Sequence, residues 1–90
     1  MEFEWHDAKA EANLRARGVS FDLAKTVFKD IERLDDREDY GESRFVVIGM
    51  AEGNVVLFVA FTEREGRIRI ISARRATQNE EADYIQQNNS

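Results

Sequence analysis

The chain has 90 residues, 42% of them hydrophobic and 34% charged, with a formal net charge of −5. This length suits one domain with a modest core, and the acidic balance argues against a generic nucleic-acid binder. With no cysteine, no proline and one histidine, the composition excludes a disulfide framework, a thiolate or multi-histidine metal site and a proline-rich docking segment. Since the sequence lacks both an apolar run of membrane-spanning length and a signal-peptide pattern, we expect a cytoplasmic protein with no membrane partner.

The first third of the chain predicts a short strand and two helices. Phe3 and Trp5 alternate with acids, as in a half-buried strand. Residues 7–17 are good helix formers, and Gly18 follows where a helix C-cap is expected. Ser20 is suited to cap a second helix. Apolar residues at helical spacing define its buried face: Phe21, Leu23, Ala24, Val27, Phe28 and Ile31.

The rest of the chain predicts a three-stranded meander and a last helix. Residues 30–43 form a charged connection, either a loop or an edge strand around 31–34. Strands are predicted at 44–51, 55–62 and 67–72, and the short turns between them imply antiparallel pairing. A helix begins at Thr77, where Glu80 completes a Thr-x-x-Glu capping box. The expected fold class is therefore α+β, in the order β-α-α-β-β-β-α with a mainly antiparallel sheet, as a single domain over residues 1–85 with a polar, frayed tail over 86–90.

The first two strands of the meander are apolar on both alternating faces, which indicates a sheet that is covered on both sides. The first two helices can cover one face. The last helix offers only Ala82, Tyr84 and Ile85 as apolar anchors, so we expect a partner protein to complete the other face.

The clearest functional signal is a run of five arginines and one acid over residues 64–75. We call Arg64, Arg67, Arg69, Arg74 and Arg75 the arginine strip. Arg67 and Arg69 share one strand face, and guanidinium forks match phosphate geometry. The strip therefore predicts a phosphate-binding site that could stabilise charge developing on a phosphodiester. The alternative is a solvated edge strand whose arginines oppose aggregation.

Other titratable residues give weaker signals. His6 could transfer a proton, because imidazole titrates near neutral pH, but it is also a plausible surface or capping residue. Tyr84 could donate a hydrogen bond to phosphate or anchor its helix. The simplest interpretation of Lys9 is a solvent-exposed charged residue on the predicted first helix. The seven acids within residues 30–42 lack the spacing and central glycine of a calcium loop.

The order of motifs resembles that of the BrnT family, ribonuclease toxins of bacterial type II toxin–antitoxin systems. The resemblance runs from residue 2 to about residue 85. It is carried by Phe3-Glu4-Trp5, Ala8-Lys9, Asn13-Leu14, Gly18-Val19-Ser20-Phe21, Val27-Phe28, Arg44-Phe45, Ile48-Gly49, Thr62-Glu63-Arg64 and Arg67-Ile68-Arg69-Ile70-Ile71-Ser72-Ala73-Arg74, with Ala76, Glu80 and Tyr84 beyond them.

The resemblance implies a RelE-type fold, metal-independent RNA cleavage without a cofactor, and neutralisation by a BrnA-type antitoxin. Operator DNA would be bound only through the ribbon-helix-helix domain of that antitoxin. By family position, the RNA site comprises Arg44, Thr62, Arg64, Arg69 and Arg74. The remaining strip members, Arg67 and Arg75, are expected to contact RNA phosphates. The residue that takes the proton stays open among Lys9, Tyr84, His6, Glu63 and Glu80.

The sequence also departs from the family pattern. It has Trp5-His6-Asp7 at the start, Ala16-Arg17 where many members have Lys-His, and Phe61 where many have histidine. These departures favour an alternative, a catalytically weakened homologue that acts as antitoxin partner and operon co-repressor. A free-standing RNA-binding domain is a weaker hypothesis, because no aromatic stacking platform accompanies the strip.

Overall fold

The computed structural model describes residues 1–29, 38–39 and 44–88. In chain order its elements are β1 (Glu2–Glu4), α1 (Asp7–Arg17), α2 (Phe21–Ala24), a 3₁₀ helix (Lys25–Lys29), β2 (Glu38–Asp39), β3 (Phe45–Ala51), β4 (Val55–Arg64), β5 (Arg67–Arg75) and α3 (Gln78–Asn88). The predicted α+β class is confirmed, and the architecture is compatible with the expected RelE-type likeness. None of the described helices is long and apolar enough to cross a membrane.

Five strands form one sheet in the order β1-β5-β4-β3-β2 across the described residues. β3, β4 and β5 make the expected antiparallel meander, and β1 pairs with β5 in parallel. Over residues 67–69 the strand that carries the arginines therefore lies inside the sheet, and the alternative of a solvated edge strand is wrong for that part. The edge strand considered for residues 31–34 falls outside the described residues, while the short strand next to β3 is Glu38–Asp39.

Local sequence signals set the ends of the first helices. Gly18 ends α1 with φ 72°, and its N–H donates to the Leu14 carbonyl at 2.8 Å. Ser20 caps α2 by accepting a 3.0 Å hydrogen bond from the Leu23 N–H. The predicted second helix is α-helical only through Ala24 and then tightens into the 3₁₀ helix. At this change Thr26 donates its hydroxyl to the Leu23 carbonyl at 2.7 Å, a side-chain bond that competes with helical backbone bonding.

The core lies between one face of the sheet and the first helices. Phe21, Val27, Leu57 and Phe61 are among its largest fully buried side chains, and Phe28 packs edge-on against Phe61 with ring centroids 5.1 Å apart. The predicted helical stripe is buried as expected at Phe21, Ala24, Val27 and Phe28, while Ile31 falls outside the described residues. We call this side of the sheet the core face.

Asn13 on α1 completes the backbone bonding of β5 beyond the point where β1 ends. Its side chain is buried, accepts from the Ala73 N–H at 3.2 Å and donates to the carbonyls of Ala73 and Val19 at 2.9 Å each. The amide thus replaces a neighbouring strand for one residue of β5, which keeps these buried backbone groups paired.

The last helix follows its predicted capping box. Thr77 Oγ1 accepts from the Glu80 N–H at 3.2 Å, and Glu80 Oε1 accepts from the Thr77 N–H at 2.8 Å. α3 then contacts β3 and continues to Asn88, beyond the expected start of the tail at residue 86. Residues 89–90 lie outside the described residues, and the division into a domain over 1–85 and a tail stays a prediction.

Candidate functional site

A β-bulge in β5 sets the direction of the arginines. Ala60 pairs with Ser72 and Phe61 with Ile70, so Ile71 is an extra residue on β5. Side chains alternate between the two sides of the sheet along a strand. The extra residue therefore reverses which side odd-numbered and even-numbered residues face in the second half of β5. Arg74 therefore lies on the same side of the sheet as Arg67 and Arg69. We call this side the arginine face.

Two cross-strand pairs from β4 and β5 form the centre of the arginine face. Arg64 is paired with Arg67 on either side of a two-residue turn in which Glu65 and Gly66 have φ 53° and 77°. Thr62 is paired with Arg69 two residues further along the strands, on the same side of the sheet. The paired positions put a hydroxyl and three guanidinium groups on one surface, which is a suitable arrangement for binding a phosphodiester.

Arg44 belongs to the same end of the sheet. It directly precedes Phe45, which pairs with Phe61, so the strand direction brings Arg44 towards Thr62. Its side chain is exposed. The structure thus gathers Arg44, Thr62, Arg64, Arg67 and Arg69 at one end of β3, β4 and β5.

Two acids of β1 extend this group across the parallel pairing. Glu2 pairs with Arg67 and Glu4 with Arg69 in the strand register. Glu4 Oε2 accepts a 3.0 Å hydrogen bond from Arg69 Nη1, and Glu2 Oε2 lies 3.3 Å from Arg67 Nε. An open depression lined by Glu2, Phe3, Glu4 and Arg67 lies beside these ion pairs.

Arg74 occupies a different setting towards the other end of β5. Its guanidinium carbon lies 3.9 Å from the centroid of the Phe58 ring, its cross-strand partner. Its two Nη atoms donate to the two oxygens of Glu80 at 2.8 and 3.0 Å, and Nη1 also donates to the Arg75 carbonyl at 3.1 Å. Arg74 therefore fastens the first turn of α3 to the sheet.

The contact with Arg74 fixes the charge of Glu80. Hydrogen bonding to the Arg74 guanidinium is the largest cause that lowers the pKa of Glu80, from 4.5 to about 2, and the Thr77 N–H adds to it against the opposing effect of burial. A carboxylate with so low a pKa is a weak proton acceptor at neutral pH. Among the predicted proton-transfer residues, Glu80 is thus poorly suited to act as a base.

The remaining predicted residues lie apart from the centre of the arginine face. Glu63 pairs with Ile68, and Arg75 pairs with Leu57, so alternation directs both towards the core face. His6 is the exposed N-cap residue of α1, and Lys9 is exposed on its first turn. Tyr84 is half-buried on α3. The structure does not bring these five residues together.

Sequence reasoning missed three side chains that contact the arginines, namely Glu2, Glu4 and Phe58. The sequence shows that Glu2 and Glu4 alternate with apolar residues. Whether they contact the arginines depends on which strand β1 pairs with, and it pairs with β5. In the sequence Phe58 is one apolar residue of a predicted strand, and its position under Arg74 follows from the bulge. The described residues contain no cluster of three His, Cys, Asp or Glu side chains.

Comparison with known proteins gives the family of this chain. The family model described as "Ribonuclease toxin, BrnT, of type II toxin-antitoxin system" matches residues 5–80. The chain belongs to the BrnT family. A crystal structure of the Brucella abortus ribonuclease toxin BrnT at 1.1 Å is similar in fold, with a TM-score of 0.69 and 23% identity over 87% of this chain and 99% of that chain. Comparison with curated proteins gave no match.

One departure from the BrnT pattern, the phenylalanine at position 61, lies in the core of the protein. Phe61, where the resemblance implies histidine, is fully buried on the core face and packs against Phe28 and Phe45. Its neighbour Thr62 is the residue that faces the arginines. A side chain at position 61 is directed away from the arginine face, so phenylalanine there removes no group from the candidate site of this BrnT chain.

Proposed function

We propose that this BrnT chain is a metal-independent endoribonuclease that inhibits growth when it is not bound by its antitoxin. The observation that carries the proposal is the convergence of Arg64, Arg67 and Arg69 with Thr62 on the arginine face. A ribonuclease needs such a site, because the scissile phosphate gains negative charge as the reaction proceeds.

The proposed reaction is an attack of the ribose 2′-oxygen on the adjacent phosphorus. The new oxygen–phosphorus bond forms as the bond to the 5′-oxygen breaks, which leaves a cyclic phosphate on one fragment. Arg67 and Arg69, two residues apart on β5, can hold non-bridging oxygens, and Arg64 adds a third positive charge beside them. Thr62 can donate its hydroxyl to the same phosphate.

Metal independence rests on the chemistry of the arginines. Guanidinium groups stabilise phosphorane charge directly, which is the role that a divalent ion has in other nucleases. The acids nearest to them, Glu2 and Glu4, already accept charge-assisted contacts from Arg67 and Arg69. No step of the proposed reaction requires a cofactor.

The test of this function is cleavage of RNA by the purified chain in excess EDTA. We expect cleavage to persist, to leave a cyclic phosphate, and to stop when the nucleotide at the cut site carries a 2′-O-methyl group. DNA of the same sequence should stay intact. Activity that EDTA abolishes and magnesium restores would refute metal independence, and cleavage of the methylated RNA would refute attack by the 2′-oxygen.

We further propose a BrnA-type ribbon-helix-helix antitoxin as the partner, with operator DNA bound only through it. The apolar residues of β3 and β4 on the arginine face support a protein partner, because Ile48, Met50 and Phe58 are only half-buried. Ile85 of α3 is 45% exposed. An antitoxin segment with acidic and apolar residues would suit both parts of this face, and a tight complex would bury on the order of 1,600 Å². Co-expression should restore growth and co-purify both chains, and separate elution would contradict the pairing.

A second function is favoured by one observation. Glu2, Glu4 and Glu80 each contact an arginine of β5, so the phosphate site of the RNA-free chain is already paired with carboxylates. A weakened homologue that acts as antitoxin partner and operon co-repressor would have such a site. Expression without antitoxin separates the two functions, since an active toxin arrests growth and a co-repressor does not.

A further inference from the structure

We propose that Glu4 is the general base that accepts the proton of the 2′-hydroxyl. This inference rests on the proposed ribonuclease function and assigns a residue to its open proton-transfer step. Glu4 lies on β1, directly beside Arg69 of β5 in the parallel register. Its side chain is 28% exposed, so it is partly withdrawn from solvent but open to a substrate.

The two oxygens of Glu4 have different surroundings. Oε2 accepts a 3.0 Å hydrogen bond from Arg69 Nη1, which fixes the orientation of the carboxylate. Oε1 stands 3.7 Å from Arg67 Nη1, an ion-pair contact that is too long for a hydrogen bond. Oε1 is therefore the oxygen with capacity to accept a proton, and the carboxylate as a whole bridges the two arginines that would hold the phosphate.

The spacing of these groups fits a nucleotide. Residues two apart on a strand are separated by roughly 7 Å, so Arg67 and Arg69 can contact one phosphate from two sides. The 2′-oxygen that attacks this phosphate must lie next to it. The open depression lined by Glu2, Phe3, Glu4 and Arg67 provides space for a ribose at that position.

The proton can be followed through the reaction. As the 2′-oxygen bonds to phosphorus, its proton passes to Glu4 Oε1, and the departing 5′-oxygen takes a proton from water. Binding of the phosphate recruits guanidinium donors of Arg67 and Arg69, which loosens their contacts with Glu4. The carboxylate that paired with the arginines in the free protein thereby becomes available as a base when substrate arrives.

Among the described residues, the charged groups in contact with Glu4 are Arg67 and Arg69, which both lie on β5. Glu2 lies two residues before Glu4 on the same side of β1. Glu80 has no carboxylate oxygen left to act as a base in this way, because Arg74 donates a hydrogen bond to each of its two oxygens.

The test compares Glu4→Gln with Glu52→Gln in RNA cleavage and RNA binding. Glutamine keeps the size of Glu4 and the oxygen that accepts from Arg69, but it cannot take a proton. We expect kcat to fall about 10² to 10⁴-fold, the general acid–base contribution, while RNA affinity stays within a few-fold of wild type. Glu52→Gln, the same change at a 66% exposed carboxylate that pairs with Lys29 away from the arginine face, should lower kcat less than threefold.

The outcomes distinguish this inference from the ribonuclease function on which it rests. A wild-type chain without RNA cleavage would remove the ribonuclease function itself. An active wild type with Glu4→Gln equally active, or more active, would overturn the general-base role, and higher activity would identify Glu4 as a competitor for phosphate. Loss of RNA binding together with activity would make Glu4 a positioning residue. If Glu4→Gln lowers the melting temperature enough to account for the lost activity, Glu4 is likewise a positioning residue. In that case Glu4→Asp, which keeps the carboxylate, should recover none of the rate.

Discussion

Arg74 and Glu80 are joined by two parallel hydrogen bonds of 2.8 and 3.0 Å, and they connect the end of the arginine strand to the first turn of α3. The side chains are 31% and 24% exposed, so this is a partly buried, bidentate pair. The Phe58 ring lies beneath the guanidinium at 3.9 Å. Arg74 was placed in the RNA site by family resemblance, and its contacts show that it also has a structural role.

The first prediction concerns the stability of Arg74→Ala. Removing the guanidinium leaves Glu80 without its partner and exposes Phe58, so we expect a loss of roughly 1.5 to 3 kcal/mol in the free energy of unfolding. Arg74→Lys should recover only part of it, because lysine cannot make the two-donor contact. Urea unfolding measures both changes, and amide exchange should show early loss of protection in α3. Arg75→Ala is the control and should stay within about 0.5 kcal/mol.

The second prediction concerns acid stability. The folded protein holds the Glu80 proton less tightly than an ordinary carboxyl, since the pKa is about 2 and not 4.5. The pair therefore contributes its full stability above pH 4.5, and this contribution is lost as the pH falls from 4.5 towards 2. We expect Glu80→Gln to be less stable than wild type at neutral pH by on the order of 1 to 2 kcal/mol, and the difference should shrink across this acid range. A constant difference down to the lowest pH would contradict the assignment.

The third prediction concerns Arg69 in catalysis. If Arg69 contacts the developing phosphorane charge, Arg69→Ala should lower the cleavage rate about 10² to 10³-fold. Arg69→Lys should recover it only partly, because the planar fork is lost. Arg75→Ala again serves as the control, since Arg75 is directed to the other side of the sheet. Equal losses in all of these variants would indicate a diffuse electrostatic effect in place of a defined site.

The fourth prediction concerns Thr62, the cross-strand partner of Arg69. Thr62→Val keeps the shape of the side chain and its preference for strands but removes the hydroxyl. We expect about a ten-fold loss of cleavage, consistent with one lost hydrogen bond to the phosphate. Thr62→Ser should retain most of the rate. Cleavage by the valine variant at the wild-type rate would show that the hydroxyl does not contact the substrate.

The fifth prediction concerns Asn13, whose buried amide replaces a neighbouring strand at Ala73. Asn13→Ala leaves buried backbone groups of Ala73 and Val19 without their partner, so we expect a loss of roughly 2 to 3 kcal/mol in thermal or urea unfolding. Asn79→Ala, a change at an exposed position in the first turn of α3, provides the comparison and should have little effect. A mild effect of Asn13→Ala would mean that water can replace the amide at this edge.

Much of the fold could be predicted from the sequence because its signals are local. Gly18 adopts the left-handed conformation that ends α1, and Ser20 caps the next helix through a bond to a residue three positions away. The hairpin turn has positive φ at both Glu65 and Gly66, and glycine adopts this conformation without steric cost. Each of these signals acts within about one helical turn or one hairpin, so it survives in any fold that the rest of the chain adopts.

The candidate site depends on relationships that no local signal contains. The sequence predicts a phosphate-binding strip, but Glu4 meets Arg69, 65 residues away in the sequence, because Phe3 of β1 packs against the core beside β5. Arg74 shares a face with Arg69 only because the bulge at Ile71 shifts the alternation of side chains by one residue. Sequence determined which residues could bind phosphate. Strand pairing and the one inserted residue at the bulge decided which of these residues lie together on the arginine face. The free energy that selects the pairing and the bulge comes from packing across the whole sheet.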